Sequence, residues 1–157
     1  MSNRNDSPAD PSPAVPLTIT LRVRDTCLCL HTQRAARSIA RKFDEAFRPL
    51  DLKSGQFSLL MSLNRPEPPT LGAVAQLLGM DRTTLTANLK PLERRGLVEV
   101  RPDTADRRSR RLALTEAGRG LLVDAVPLWE RTQAELETAL GLAVEPDRLR
   151  AGLDALG

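Results

Sequence analysis

The 157 residues suffice for one globular domain, or for a domain with a small oligomerisation region. No apolar run approaches the ~20 residues of a membrane span, and residues 1–16 lack a signal-peptide core, which makes the cytoplasm the expected compartment and excludes a membrane partner. The net charge is only +3, but residues 81–111 hold nine Lys/Arg against five Asp/Glu, a net of +4 that leaves −1 for the rest of the chain.

Such a confined basic patch is either a solvated face or the footprint of a polyanion site. Aromatics make up 3% of the chain and Tyr is absent, so Leu, Ala and Val must fill the core, a composition that favours helices.

Residues 1–16 carry four prolines among Ser, Asn and Asp and read as a disordered tail. From about Thr20 the pattern turns helical. Ile39, Phe43, Phe47 and Leu50 form an apolar stripe, and the helix is expected to end near Pro49. Cys27 and Cys29 sit on this one helix, too close for a relaxed disulfide with each other. A second helix follows Ser54 and stops before the breaker at residues 66–69.

Thr70 is a fitting N-cap for a short helix ended by Gly79. Asp81 then caps a helix that runs to about Arg95 and is closed by Gly96. Helix, tight turn, helix is the spacing of a helix-turn-helix. Residues 97–100 and 111–114 read as paired strands flanking an Arg-rich hairpin tip. A long C-terminal helix follows Thr115, with a kink expected at Pro127, and a last short helix opens at Pro146.

The fold class is therefore mostly α: a winged helix-turn-helix with a small two-stranded β-wing and terminal helices forming a dimerisation region. The expected organisation is a tail over residues 1–18 and an N-terminal dimerisation helix over 19–52. The DNA-binding domain follows over 53–116, and C-terminal dimerisation helices occupy 117–157.

The helix after Asp81 offers Arg82, Thr83, Thr84, Thr86 and Lys90. Arg and Lys donate to guanine edges, Thr supplies a hydroxyl and a methyl, and a helix N-terminus favours phosphate. Arg107, Arg108 and Arg110 on the wing suit the negative minor groove, with Asp106 placed to aim an arginine. The competing reading is that the threonines cap and the arginines solvate.

No catalytic constellation competes. His31 is the only histidine, and Asp44 and Glu45 are neighbours on a solvated helix face. The chain calls for no cofactor, and a metal site built from Cys27, Cys29 and His31 is weak because Cys29 points away from the other two on a helix.

Residues 106–118, Asp-Arg-Arg-Ser-Arg-Arg-Leu-Ala-Leu-Thr-Glu-Ala-Gly, resemble the wing signature of the MarR family of transcriptional regulators. Residues 50–57, 81–86 and 92–98 extend the resemblance over about residues 25–155. It implies a homodimer whose first and last helices interlock, bound to a pseudo-palindromic operator on double-stranded DNA and, in the usual case, repressing. It also implies release by a small-molecule or oxidant effector, with Arg108 as the wing-tip residue and Asp106 as its positioner.

In the organic-hydroperoxide (OhrR-like) branch of the family a reactive Cys lies early in the first helix. Cys29 falls at that register, with Cys27 one step off, while the branch's tyrosines correspond to Gln33, Phe43 and Ser54. The readings of residues 27–31 as core or as thiol sensor both stand. Two other functional classes also remain: a non-sensing architectural DNA-binding protein, and a winged-helix protein-interaction module.

Overall fold

Seven helices and one two-stranded antiparallel sheet form among the described residues of the computed structural model, which are 14–103, 106, 109–141 and 143–156. The expected tail as far as residue 13, and Arg107 and Arg108 on the wing, lie outside them. The chain divides into two units between Arg37 and Ser38. Among the described residues no helix is long and apolar enough to cross a membrane.

The first unit holds α1 (Leu17–Thr26) and the opening turns of α2 (Leu28–Ala46). One helix from about Thr20 is expected here; the structure starts it at Leu17 and breaks it at Cys27, whose φ of −74° and ψ of 107° are extended. The break has a local cause. Thr18, Ile19, Thr20, Val23 and Thr26 are β-branched and poor helix formers, and the Thr26 hydroxyl donates to the Arg22 carbonyl at 2.8 Å. The Cys27 carbonyl then accepts from His31 N–H at 3.1 Å and starts α2. The two cysteines therefore do not share one helix.

In the second unit α2 stops at Ala46, short of Pro49, which lies inside a 3-10 turn over Arg48–Leu50. There follow α3 (Ser54–Leu63), α4 (Leu71–Leu77), α5 (Arg82–Arg94), strands β1 (Val98–Pro102) and β2 (Arg110–Leu114), α6 (Glu116–Leu140) and α7 (Pro146–Asp154). The strands pair Val98 with Leu114 and Pro102 with Arg110, so the hairpin is longer at its tip end than the sequence suggests. Thr70 adds an isolated bridge to Arg111 on the far side of β2.

Helix α3 is the centre of the core: it packs against α4, α5, α6 and β2. Leu59 and Leu60 from α3, Leu85 and Leu92 from α5, and Leu112 from β2 are all fully buried. Each such side chain contributes about 1.5–3 kcal/mol through removal from water. The three phenylalanines cluster, with Phe47 stacked on Phe43 at 5.9 Å and tilted on Phe57 at 4.7 Å between ring centroids. All three phenylalanines thus serve one place, the seam between the end of α2 and α3.

Glycine is demanded by backbone conformation at Gly79 and by close approach at Gly118. Gly79, between α4 and α5, has φ +60°, the left-handed region where a side chain is strained. Gly118, in the first turn of α6, lies so close to the Leu97 carbonyl that a Cβ would collide with backbone. Helix α6 is capped by the Thr115 hydroxyl, which accepts from Gly118 N–H at 3.0 Å, and it runs through Pro127 as one helix.

Candidate nucleic-acid interface

Helix α5 is built to expose one face. Leu85, Leu89 and Leu92 recur at i, i+4 and i+7 and are buried, which fixes the helix by a single stripe. Thr83, Ala87, Lys90 and Arg94 lie on the opposite side and are exposed. Asp81 stops the chain from continuing as loop: its carboxylate accepts from Thr84 N–H at 2.8 Å and from the Thr84 hydroxyl at 2.6 Å. Those bonds, the hydroxyl's first, hold the Asp81 carboxyl below its ordinary range.

The predicted contact residues therefore divide. Thr84 commits its hydroxyl proton to Asp81, and Thr86 commits its own to the Arg82 carbonyl at 2.7 Å. Both residues are nonetheless exposed. Arg82 is exposed at the first position of α5, and its guanidinium reaches towards Gly72 on α4, 3.4 Å from where a Cβ would stand. Thr83 and Lys90 are exposed on the outer face.

On the hairpin, Arg110 is exposed at the start of β2, opposite Pro102. Arg107 and Arg108 lie outside the described residues. Asp106 is exposed; its N–H donates to Asp103 Oδ1 at 3.4 Å and its carbonyl accepts from Ser109 N–H at 2.8 Å.

Sequence reasoning missed the acid that matters most to the hairpin's geometry. Asp103 is only 5% exposed, and its Oδ2 accepts from Arg111 Nε at 2.7 Å. Arg111 also donates from Nη1 to the Pro68 carbonyl at 2.8 Å, and Leu112 N–H donates to the Pro69 carbonyl at 2.9 Å. The hairpin is thus tied to the segment that feeds α4. Pairing register was the available signal: with Arg101 opposite Arg111, Asp103 stands diagonally across from Arg111 on the same face.

Two further contacts were missed. Arg95, read as one more basic residue, donates to the carbonyls of Leu50 and Asp51 and so links the end of α5 to the turn after α2. Asp44, expected on a solvated face, accepts from Ser54 N–H at 2.7 Å and approaches Lys53 Nζ at 3.6 Å. It therefore caps α3 from a neighbouring helix, and the Ser54 backbone bond above all lowers its carboxyl from the ordinary range.

In the first unit Cys27 is half-buried and Cys29 exposed, both as free thiols, and His31 is exposed. Gln33, one of the positions matched to a tyrosine by resemblance, donates from Nε2 to Cys29 Sγ at 3.2 Å. Arg37 in turn donates to Gln33 Oε1 at 3.3 Å. Among the described residues no group of three or more His, Cys, Asp or Glu is placed to hold a metal ion.

Residues 52–109, from just before α3 into the hairpin, match the family model of the MarR family. The M. tuberculosis transcriptional regulator MosR, solved in complex with DNA, is 39% identical, with a TM-score of 0.76 over 83% of this chain and 93% of that one. This chain belongs to the MarR family. Its members similar to this chain also include E. coli MarR, solved as a point mutant with operator DNA, at 25% identity and a TM-score of 0.76 over 87% and 97% of the two chains. The regulator SarZ of Staphylococcus haemolyticus is 26% identical over 91 residues, which span 58% of this chain and 62% of SarZ.

Proposed function

We propose that this MarR-family chain is a non-catalytic, cytoplasmic transcriptional regulator that binds a pseudo-palindromic operator as a homodimer and represses. The observation that carries the reading is the outward face of α5. A leucine stripe fixes the helix from behind, Thr83 and Lys90 stand exposed in front, and α5 packs against the hairpin's first strand. That arrangement offers one helix to a major groove, and the basic residues of the wing, Arg107, Arg108 and Arg110, suit the flanking minor groove by their charge.

Dimerisation is supported by apolar side chains the single chain leaves in water. Val123 and Trp129 on α6, and Leu153 and Leu156 at the C-terminal end, are all exposed.

Effector release has two supports. A groove of about 710 Å³ between the end of α2 and the middle of α6 is lined by Arg41, Lys42 and Arg131 against Glu45 and Glu135, beside Leu128, a small excess of cations that suits a small ligand with a carboxylate. Alternatively, Cys29 is an exposed free thiol, held by the Gln33 amide at 3.2 Å, where an oxidant could reach it.

Fluorescence anisotropy with a labelled duplex carrying the inverted repeat upstream of the gene tests the reading. Binding should fall steeply with salt. Arg108→Ala should weaken it by about 1–3 kcal/mol. Salt-insensitive or absent binding would favour a protein-interaction module; affinity indifferent to carboxylate ligands and to hydroperoxide would favour an architectural binder.

A further inference from the structure

We infer that the Asp103–Arg111 pair is a positioning device that sets the hairpin's attitude to the helix-turn-helix, and through it the fit of the wing to DNA. The inference rests on the DNA-binding reading for its purpose but not for its geometry. Asp103 lies at the hairpin's tip end, where solvation would be the default for a carboxylate, yet it is nearly buried. A buried charge is tolerated only when paired.

Its partner is chosen for reach in two directions. The planar guanidinium of Arg111 donates through Nε to Asp103 and through Nη1 to the Pro68 carbonyl, 43 residues away in sequence. Pro68 sits between Pro66 and Pro69, whose rings fix φ, so that carbonyl is a stiff attachment point. Thr70, the residue that caps α4, bridges to the same arginine's backbone. The hairpin thus has a rigid link to the first helix of the helix-turn-helix, besides its packing on α5. Simultaneous engagement of two grooves needs that angle held closely, because a site about 1 Å too loose fails.

A sign test separates positioning from charge. Asp103→Asn removes a negative charge from the surface proposed to meet a polyanion, so Coulomb's law alone predicts tighter binding. Positioning predicts the opposite: operator affinity about tenfold weaker or worse, with a shallower salt dependence because wing contacts are lost. Arg111→Gln should behave alike, and the double variant should be no weaker than the worse single one.

Hydrogen exchange without DNA supplies the independent arm. Hairpin amides of Val100, Arg101, Asp103 and residues 109–112 should exchange faster in Asp103→Asn, while those of Leu89 and Leu92 stay protected. Should Asp103→Asn unfold globally, Arg111→Lys keeps the charge without the planar fork and should loosen the hairpin to an intermediate degree.

Operator affinity equal to or tighter than wild type overturns the inference, and so does unchanged hairpin exchange. A loosened hairpin in a protein whose wild type binds no duplex sinks the DNA reading and leaves the brace standing.

Discussion

The helix-turn-helix and the hairpin beside it are held by different kinds of force. Helices α4 and α5 stand on burial: Val74, Ala75, Leu85, Leu89 and Leu92 face inward, and the caps Thr70 and Asp81 each bond three residues ahead. The base of the hairpin shares that core through Val98, Leu112 and Leu114. Its tip end does not. There Asp103, Arg111 and the carbonyls of Pro68 and Pro69 form a few directional links between segments far apart in sequence. Burial is non-directional and shared among many neighbours, whereas each directional link has few substitutes. The element that contacts many partners should therefore fail as part of the whole, and the hairpin tip should fail alone.

The largest effect should come from removing the shared support. Leu85 is fully buried where α5 packs on α3 and β1. Leu85→Ala is expected to lower global stability by about 2–5 kcal/mol, from lost transfer and the cavity left behind. Urea unfolding followed by helix and tryptophan signals should show one displaced transition. Two separated transitions would mean that the C-terminal helices do not share the fate of α5.

Next comes the junction between the regions. In Gly118→Ala the new methyl meets the Leu97 carbonyl, backbone that cannot swing away as a side-chain tip would. Leu97 opens the hairpin, and Thr115 binds its carbonyl through N–H at 3.1 Å. Overpacking of this kind costs about 1–3 kcal/mol. A thermal midpoint within error of wild type would show that the first turn of α6 can shift without harm.

The same division between local and distant support governs what was legible in the sequence. Thr70, Gly79 and Asp81 signal the helix-turn-helix because each acts within a few residues of itself, and the leucines of α5 signal it by spacing. The alternation of residues 111–114 signals the wing for the same reason. Arg95, Asp44 and the Arg111 link to Pro68 give no such signal: the partners lie 44, 10 and 43 residues away, and only the folded chain brings them together. Cys27 is the reverse case. There a weak local preference, five β-branched residues and one hydroxyl bond to a carbonyl, breaks a helix that the broader pattern continues.

A smaller effect should follow from the cap of α4. Thr70 Oγ1 accepts from Ala73 N–H at 3.2 Å, and Thr70→Ala should cost about 1 kcal/mol. Thr70→Ser keeps the oxygen and should restore most of it. Because the backbone of Thr70 also bridges to Arg111, hydrogen exchange can ask whether loosening α4 reaches the hairpin. If the hairpin amides quicken as much as those of α4, the two regions are one cooperative unit and the contrast between them fails.

The smallest effect concerns acid, and it sharpens the contrast by asking what charge does in the helical region. Asp81 caps α5, and its carboxyl is lowered first by the Thr84 hydroxyl and then by the Thr84 N–H. Asp44 holds the start of α3, lowered first by the Ser54 N–H. A carboxyl whose folded value lies below its unfolded one stabilises the fold fully at pH above the unfolded value, about 4. That contribution is lost as pH falls through the folded value, because protonation then removes the accepting charge. Stability should therefore be level from neutral pH to about 5 as far as these two groups are concerned, and decline below about 4. Asn caps a helix about as well as Asp but does not titrate. Asp81→Asn should leave the neutral midpoint nearly unchanged and flatten the acid limb, and Asp44→Asn should add to the flattening independently, since the two cap different helices. An acid limb identical to wild type in the double variant would show that the caps work by geometry alone and that the acid sensitivity of this fold lies elsewhere, in groups such as Glu137, which Gln133 and Arg150 also hold low.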